Sequence, residues 1–256
     1  MSRGILEAVA ARRLNAVSAM TNRPHWPQAA ALFRPFEGSC QLGLHLNLTC
    51  GAPLTPMPGL APEGTLPEAR RLMMFQDKAE IQAEIMAQIG AFIQHYGRAP
   101  QFIDGHQHVH VLRSIRPALF AALEACGLRG KLWLRDPSDH VLRILRRGFQ
   151  IRKALMVSML AQGFGREARR RGYVTNDGFS GFSAFDGLDY ARDFATYLRA
   201  MGPEHLIMCH PGHVDDELRR MDRVVEPREK ELAFLLGDGA RHIVSLIGSH
   251  DDTHSE

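Results

Sequence analysis

The densest chemistry in the chain lies in Asp104-Gly105-His106-Gln107-His108-Val109-His110. If this stretch is extended, alternate residues share a face, so Asp104, His106, His108 and His110 project the same way. Imidazoles at that spacing are natural ligands for Zn²⁺ and similar ions, and a neighbouring carboxylate can fix the tautomer of a ligating ring. A lone histidine reads more simply as a hydrogen-bonded core residue. Three at period two beside an aspartate favour the metal reading, although a His-x-His pair serves several unrelated metallohydrolases. Two further histidines qualify. His45 interrupts an alternating leucine run, Gly43-Leu44-His45-Leu46-Asn47-Leu48-Thr49, and His210 sits in Cys209-His210-Pro211-Gly212 with His213 just beyond.

The elements that must carry these residues alternate between strands and helices. Residues 41–49 have period two, with Leu42, Leu44, Leu46 and Leu48 on one face and His45 and Asn47 on the other. Residues 77–93 place Ile81, Ile85, Ile89, Phe92 and Ile93 on one side of an amphipathic helix. A first helix carries Ile5, Leu6, Val9 and Ala10 on one face. Further strands are expected at 14–20, 100–110, 131–135, 204–210 and 242–247, and further helices at 26–35, 114–126, 186–200 and 226–236. This alternation specifies parallel α/β, a barrel or a doubly wound sheet, in one domain spanning 1–256. His45, His106 and His210 each fall near the C-terminal end of a separate expected strand, where such folds gather their active sites. Residues 50–76 form a long loop rich in proline and glycine, read either as a lid or substrate loop or as surface decoration. Residues 141–171 form a basic helical insertion, read as a solvated face.

Composition narrows the function classes. Hydrophobic residues make up 45% and charged residues 23% of 256 residues, which is ordinary globular composition. A formal charge of +3 is too small to argue for nucleic acid, and no nucleic-acid partner is expected. No uninterrupted apolar stretch approaches the ~18 residues of a membrane span. Four scattered cysteines without a Cys-x-x-Cys pair fit reduced thiols, and the opening residues lack a secretory signal pattern, so a cytoplasmic location is expected.

Three ordered motifs, GLHLNLT (43–49), DGHQHVH (104–110) and CHPG (209–212), resemble the signatures of the YdjC-like carbohydrate deacetylases, the family of the chitooligosaccharide deacetylases. SRGILEA (2–8) and PREKEL (227–232) fall where a member would have them, so the resemblance covers essentially the whole chain. It implies a distorted, TIM-like β/α barrel and one divalent metal ion, Mg²⁺ or Zn²⁺. It also implies removal of N-acetyl groups from amino sugars or acetylated oligosaccharides. Carried over by residue, His45 and His106 are metal ligands and His210 is a catalytic acid or substrate-orienting group. Asp104 is a second catalytic residue, orienting a histidine or standing in as base. Asn47, His108 and His110 are expected to contact substrate. A homodimer is expected; nucleic-acid and membrane partners are not.

The chain departs from the pattern at its start. The family opens on a strand ending in Asp-Asp-Phe-Gly, which supplies a metal ligand and the base, and no such segment occurs here. The expectation is therefore a first strand missing from the barrel, with low activity and low stability in the chain as written. Two other readings compete: a metal-dependent phosphoesterase, and a catalytically dead sugar-binding pseudoenzyme.

Overall fold

Alternating leucines make the central strand. The structure is a computed structural model and describes residues 2–57, 77–185, 189–221 and 225–240. In β2 (Gln41–Leu46) the side chains of Leu42, Leu44 and Leu46 are buried, as period two requires, while His45 is half-buried. β2 pairs in parallel with β1 (Ala16–Ala19) on one side and β3 (Phe102–Gly105) on the other. β4 (Trp133–Leu134) and β5 (Val174–Thr175) extend the sheet, all parallel, in the order β1-β2-β3-β4-β5. β6 (Phe179–Ser180) and β7 (Leu206–Ile207) form a second parallel pair. The described helices are α1 (Ser2–Ala10), α2 (Trp26–Phe33), α3 (Lys78–Tyr96), α4 (Arg116–Ala125), α5 (Val141–Arg147), α6 (Ile151–Leu160), α7 (Phe164–Arg170), α8 (Tyr190–Tyr197), α9 (Asp216–Met221) and α10 (Glu226–Leu236). Strands alternating with helices and pairing in parallel give the expected α/β class.

By internal contacts the molecule divides into two compact units. One comprises Ala16–Ser138 and Met156–Asn176; the other comprises Met1–Asn15, Asp139–Leu155 and Asp177–Glu256. The chain passes between them at four points, so no single stretch of sequence has the composition of a linker. The first unit holds the five-stranded sheet. Its longest helix, α3, starts where the Asp77 carboxylate accepts the Ala79 N–H at 2.7 Å, and stops at Gly97, whose φ of 88° is left-handed. Ile81, Ile85, Ile89 and Phe92 of α3 are buried, and Trp26 of α2 stacks on Phe92 with ring centroids 5.1 Å apart. Ile93, expected on that face, is 38% exposed. At 100° per residue it stands about 120° around the helix from Ile81, beyond the buried stripe. The second unit packs Tyr190, Phe194 and Tyr197 of α8 against Leu235 of α10.

Other expectations need correction. Residues 100–110 do not form one long strand: β3 ends at Gly105, and 106–111 turn into a 3₁₀ segment in which Gln107 (φ 50°) and His108 (φ 59°) are left-handed. The face shared by Asp104 and the three histidines therefore does not exist. The strands expected at 131–135 and 204–210 shrink to two residues each, and β5 and β6 were not anticipated. In α1 the buried residues are Gly4, Ala8 and Val9, whereas Ala10 is exposed. Not all the arginines of 141–171 are solvated. Arg147 is buried, donates to the carbonyls of Phe179 (2.9 Å) and Arg199 (3.1 Å), and pairs with Asp139. The strand expected at 242–247 and residues 58–76 of the long loop lie outside the described residues. No described helix is long and apolar enough to cross a membrane.

Candidate active site

Register sets the site. In the β2–β3 ladder His45 stands directly opposite Asp104, so the parallel pairing delivers both side chains to one face, one residue from each strand's end. His45 Nδ1 lies 2.7 Å from Asp104 Oδ1. A carboxylate only accepts, so Nδ1 carries the proton, and in the neutral ring Nε2 is the acceptor. Ser18 of β1 donates its hydroxyl to Asp104 Oδ2 at 3.2 Å and also lies 3.2 Å from His45 Nδ1. This is not a nucleophilic triad. There the serine and the aspartate occupy opposite ring nitrogens, whereas here both face Nδ1.

Behind Asp104 stands Arg135, one residue past β4. Its Nη1 contacts Asp104 Oδ2 at 2.6 Å, and its Nη2 donates to the Gly105 carbonyl at 2.7 Å and approaches His108 Nδ1 at 3.3 Å. The pair is almost completely buried, with side-chain exposures of 5% and 6%. Burial alone would raise the Asp104 pKa, but the Arg135 guanidinium first, and His45 second, outweigh it and hold the carboxyl well below the usual range. A carboxylate that acidic, with both oxygens engaged, is a poor proton acceptor. Oδ1 faces His45, and Oδ2 meets both Arg135 and Ser18.

His106 follows immediately after β3, where the chain turns. Its ring meets His45 edge to face, with centroids 5.5 Å apart. The turn needs a glycine before it, because a Cβ on Gly105 would come within 2.6 Å of His110 Nδ1. His110 itself is fully buried and donates Nε2–H to the Arg135 carbonyl at 2.7 Å, leaving Nδ1 as a bare acceptor without a hydrogen-bond partner. Burial, reinforced by Arg135, pushes its pKa down to about 3. A ring so enclosed braces the turn from below and offers no face to a substrate. His108 is half-buried, and burial followed by Arg135 and His110 holds its pKa well below the usual histidine value.

Asn47 is also turned inward. Its amide donates to the Cys50 carbonyl (2.6 Å) and to Asn22 Oδ1 (3.0 Å), and its Oδ1 accepts the Thr49 and Cys50 N–H groups. With every polar atom used to shape the loop after β2, it has none for a sugar. Glu84 of α3 extends the same scaffold: its carboxylate accepts the N–H groups of Leu54 and Thr55 and the Thr55 hydroxyl at 2.8–3.0 Å.

His210 belongs to the other compact unit. Its backbone N–H donates to Glu231 Oε2 at 2.8 Å, and its ring packs against Phe185 with centroids 5.5 Å apart. Glu231 is buried, which pushes its pKa up to about 7.

The comparisons with known proteins accord with the motifs. The family model of the YdjC-like proteins matches residues 1–245. The chain belongs to the YdjC-like family. A carbohydrate deacetylase from Halalkalibacterium halodurans is 26% identical over 250 residues, covering 95% of this chain and 92% of the relative. Among solved structures, a "putative cellobiose-phosphate cleavage protein" from Enterococcus faecalis superposes with a TM-score of 0.70 at 20% identity, over 96% of this chain and 89% of that one. The latter likeness establishes a shared fold. Within this YdjC-like chain, the sequence reading missed Ser18, Arg135 and Glu231. Arg135 had a legible signal: an arginine in a short apolar stretch, Leu132-Trp133-Leu134, needs a buried anion or carbonyl to meet it.

Imidazole nitrogens suit Zn²⁺ and related ions. His45 meets the requirement, since its Nδ1 is tied to a carboxylate and its Nε2 remains for a ligand, the usual arrangement around a metal-bound histidine. Among the described residues no group of three His, Cys, Asp or Glu is gathered closely enough to hold an ion. Among the described residues the set stops at two imidazoles, His45 and His106, in edge-to-face contact.

Proposed function

We propose that this protein is a carbohydrate deacetylase that hydrolyses the N-acetyl group of amino sugars or acetylated oligosaccharides. The observation that carries the reading is His45 meeting His106 at the ends of neighbouring parallel strands, with Asp104 on His45 Nδ1, in a member of the YdjC-like family. A divalent ion, Mg²⁺ or Zn²⁺, would be held by His45 and His106. When bound, such an ion polarises a carbonyl and lowers the pKa of water towards neutrality.

The chain's own residues do the rest. Asp104, gripped by Arg135, holds the His45 ring through Nδ1. His106 adds the second imidazole. On the CHPG resemblance alone, His210 is assigned the proton donation to the leaving amine, a step in which a positioned acid contributes about 10²–10⁴-fold. The proton acceptor for the attacking water is not one of these residues.

The test is acetate release from N-acetylglucosamine oligosaccharides with Mg²⁺ or Zn²⁺ added, run beside p-nitrophenyl phosphate hydrolysis. Acetate release supports the reading. Phosphate release without acetate overturns it in favour of a phosphoesterase, and sugar binding without either product marks a pseudoenzyme.

A further inference from the structure

The segment PREKEL (227–232) has no part in the chemistry above, yet it opens α10 directly against the segment that carries His210. The backbone N–H groups of three alternate residues all bond to this first stretch of helix. His210 N–H donates to Glu231 Oε2 at 2.8 Å, Gly212 N–H to the Arg228 carbonyl at 3.2 Å, and Val214 N–H to Glu229 Oε1 at 3.0 Å. Arg228 Nη1 in turn donates to the His210 carbonyl at 3.4 Å. One helix start thus engages the backbone of 210–214 at every second residue. His210 is therefore held at both its N–H and its C=O, with Phe185 against its ring.

The choice of side chain is informative. Glu231 is only 3% exposed, and a buried carboxylate is costly unless something specific needs it. Leucine would fill the volume, but it could not accept the His210 N–H across that gap. The bond therefore places a fixed acceptor under the one residue of CHPG that carries an ionisable ring.

We propose that Glu231, assisted by Arg228 and Glu229, is a positioning residue that fixes the backbone of His210 and so holds its ring in one place. This rests on the deacetylase reading, in which His210 protonates the leaving amine. Glu231 need not touch substrate; it acts through His210. Misplacing a catalytic group by about 1 Å costs roughly 10²-fold in rate, which sets the scale of the expected effect.

The experiment is a double-mutant cycle on acetate release by the full chain, with kcat and KM measured separately. Glu231→Ala is expected to lower kcat by roughly 10–100-fold with KM within about threefold, and Glu231→Gln, which keeps an acceptor oxygen, to stay near wild type. In a His210→Ala background, adding Glu231→Ala is expected to lower kcat no further, because the residue it serves is gone. A further fall of equal size in that background, or equal losses in Glu231→Gln and Glu231→Ala, overturns the proposal. If Glu231→Ala does not fold, Glu231→Asp replaces it, keeping the charge but shortening the reach. Hydrogen exchange at the His210 amide gives a readout independent of turnover. Protection lost in the Ala or Asp variant and retained in Glu231→Gln supports the proposal, and equal protection in all of them overturns it. A wild type that releases no acetate while showing this exchange pattern refutes the deacetylase reading and leaves the positioning of His210 standing.

Discussion

Replacing Arg135 by methionine removes the cation behind Asp104 while keeping most of the volume. The Asp104 carboxylate, 6% exposed, then loses its 2.6 Å ion pair, and the Gly105 carbonyl loses its 2.7 Å donor. Breaking a buried pair by deleting one partner costs about 3–5 kcal/mol, against roughly 0–1 kcal/mol for an exposed pair. A domain is stable by only about 5–15 kcal/mol, so the loss should take a large part of the margin. The second change, Asp104→Asn, should recover about 0.5–3 kcal/mol in the double variant, because the stranded charge is gone. The pH dependence has a definite sign. The folded pKa of Asp104 lies below its unfolded value of 3.8, so the pair's contribution is complete above that value and fades as pH falls towards the folded one. Urea unfolding at pH 7 and at pH 3 measures both terms. A loss under about 1 kcal/mol at pH 7 in Arg135→Met would refute the assignment of a tightly paired, desolvated aspartate at this position.

Two other substitutions have directions set by the structure. Glu231 has its folded pKa raised by burial from 4.5 to about 7, so it binds a proton in the folded state that the unfolded chain releases above 4.5. Stability should therefore decline between pH 4.5 and 7, and Glu231→Gln should remove that decline, gaining up to about 3 kcal/mol at pH 8 and nothing near pH 4 by denaturant titration. Glu84→Ala strands the N–H groups of Leu54 and Thr55. It should cost about 1–3 kcal/mol and expose 52–57 to limited proteolysis, which would otherwise match wild type.

How much was legible in the sequence follows from which interactions are local. The alternation Leu42-Leu44-Leu46 reports a strand because period two is a property of neighbouring residues. The helix expected at 77–93 was legible for the same reason, and it runs on to Tyr96, where Gly97 stops it. His45, His106 and Asp104 were identifiable by type, and their strand ends placed them together. What failed was the reading of 104–110 as one strand. Nothing in residue spacing announces that Gln107 and His108 turn left-handed, and that turn is what separates His110 from the pair above it. Asn47 looked like a ligand because it shares a face with His45, yet its amide is consumed by Asn22, Thr49 and Cys50. The roles of Arg135 and Glu231 depend on partners 31 and 21 positions away, Asp104 and His210, which periodicity cannot reach. The two-residue strands β4 to β7 are too short to leave a periodic signal at all.

His45 and His106 are assigned as the metal-binding half of a deacetylase site. The most direct test of this assignment compares acetate release and bound Zn²⁺ in wild type, His106→Ala and His108→Ala, each checked for folding by circular dichroism. His106→Ala is expected to abolish both metal retention and acetate release, while His108→Ala keeps most of its metal. Equal metal content and equal acetate release in wild type and His106→Ala would contradict the assignment.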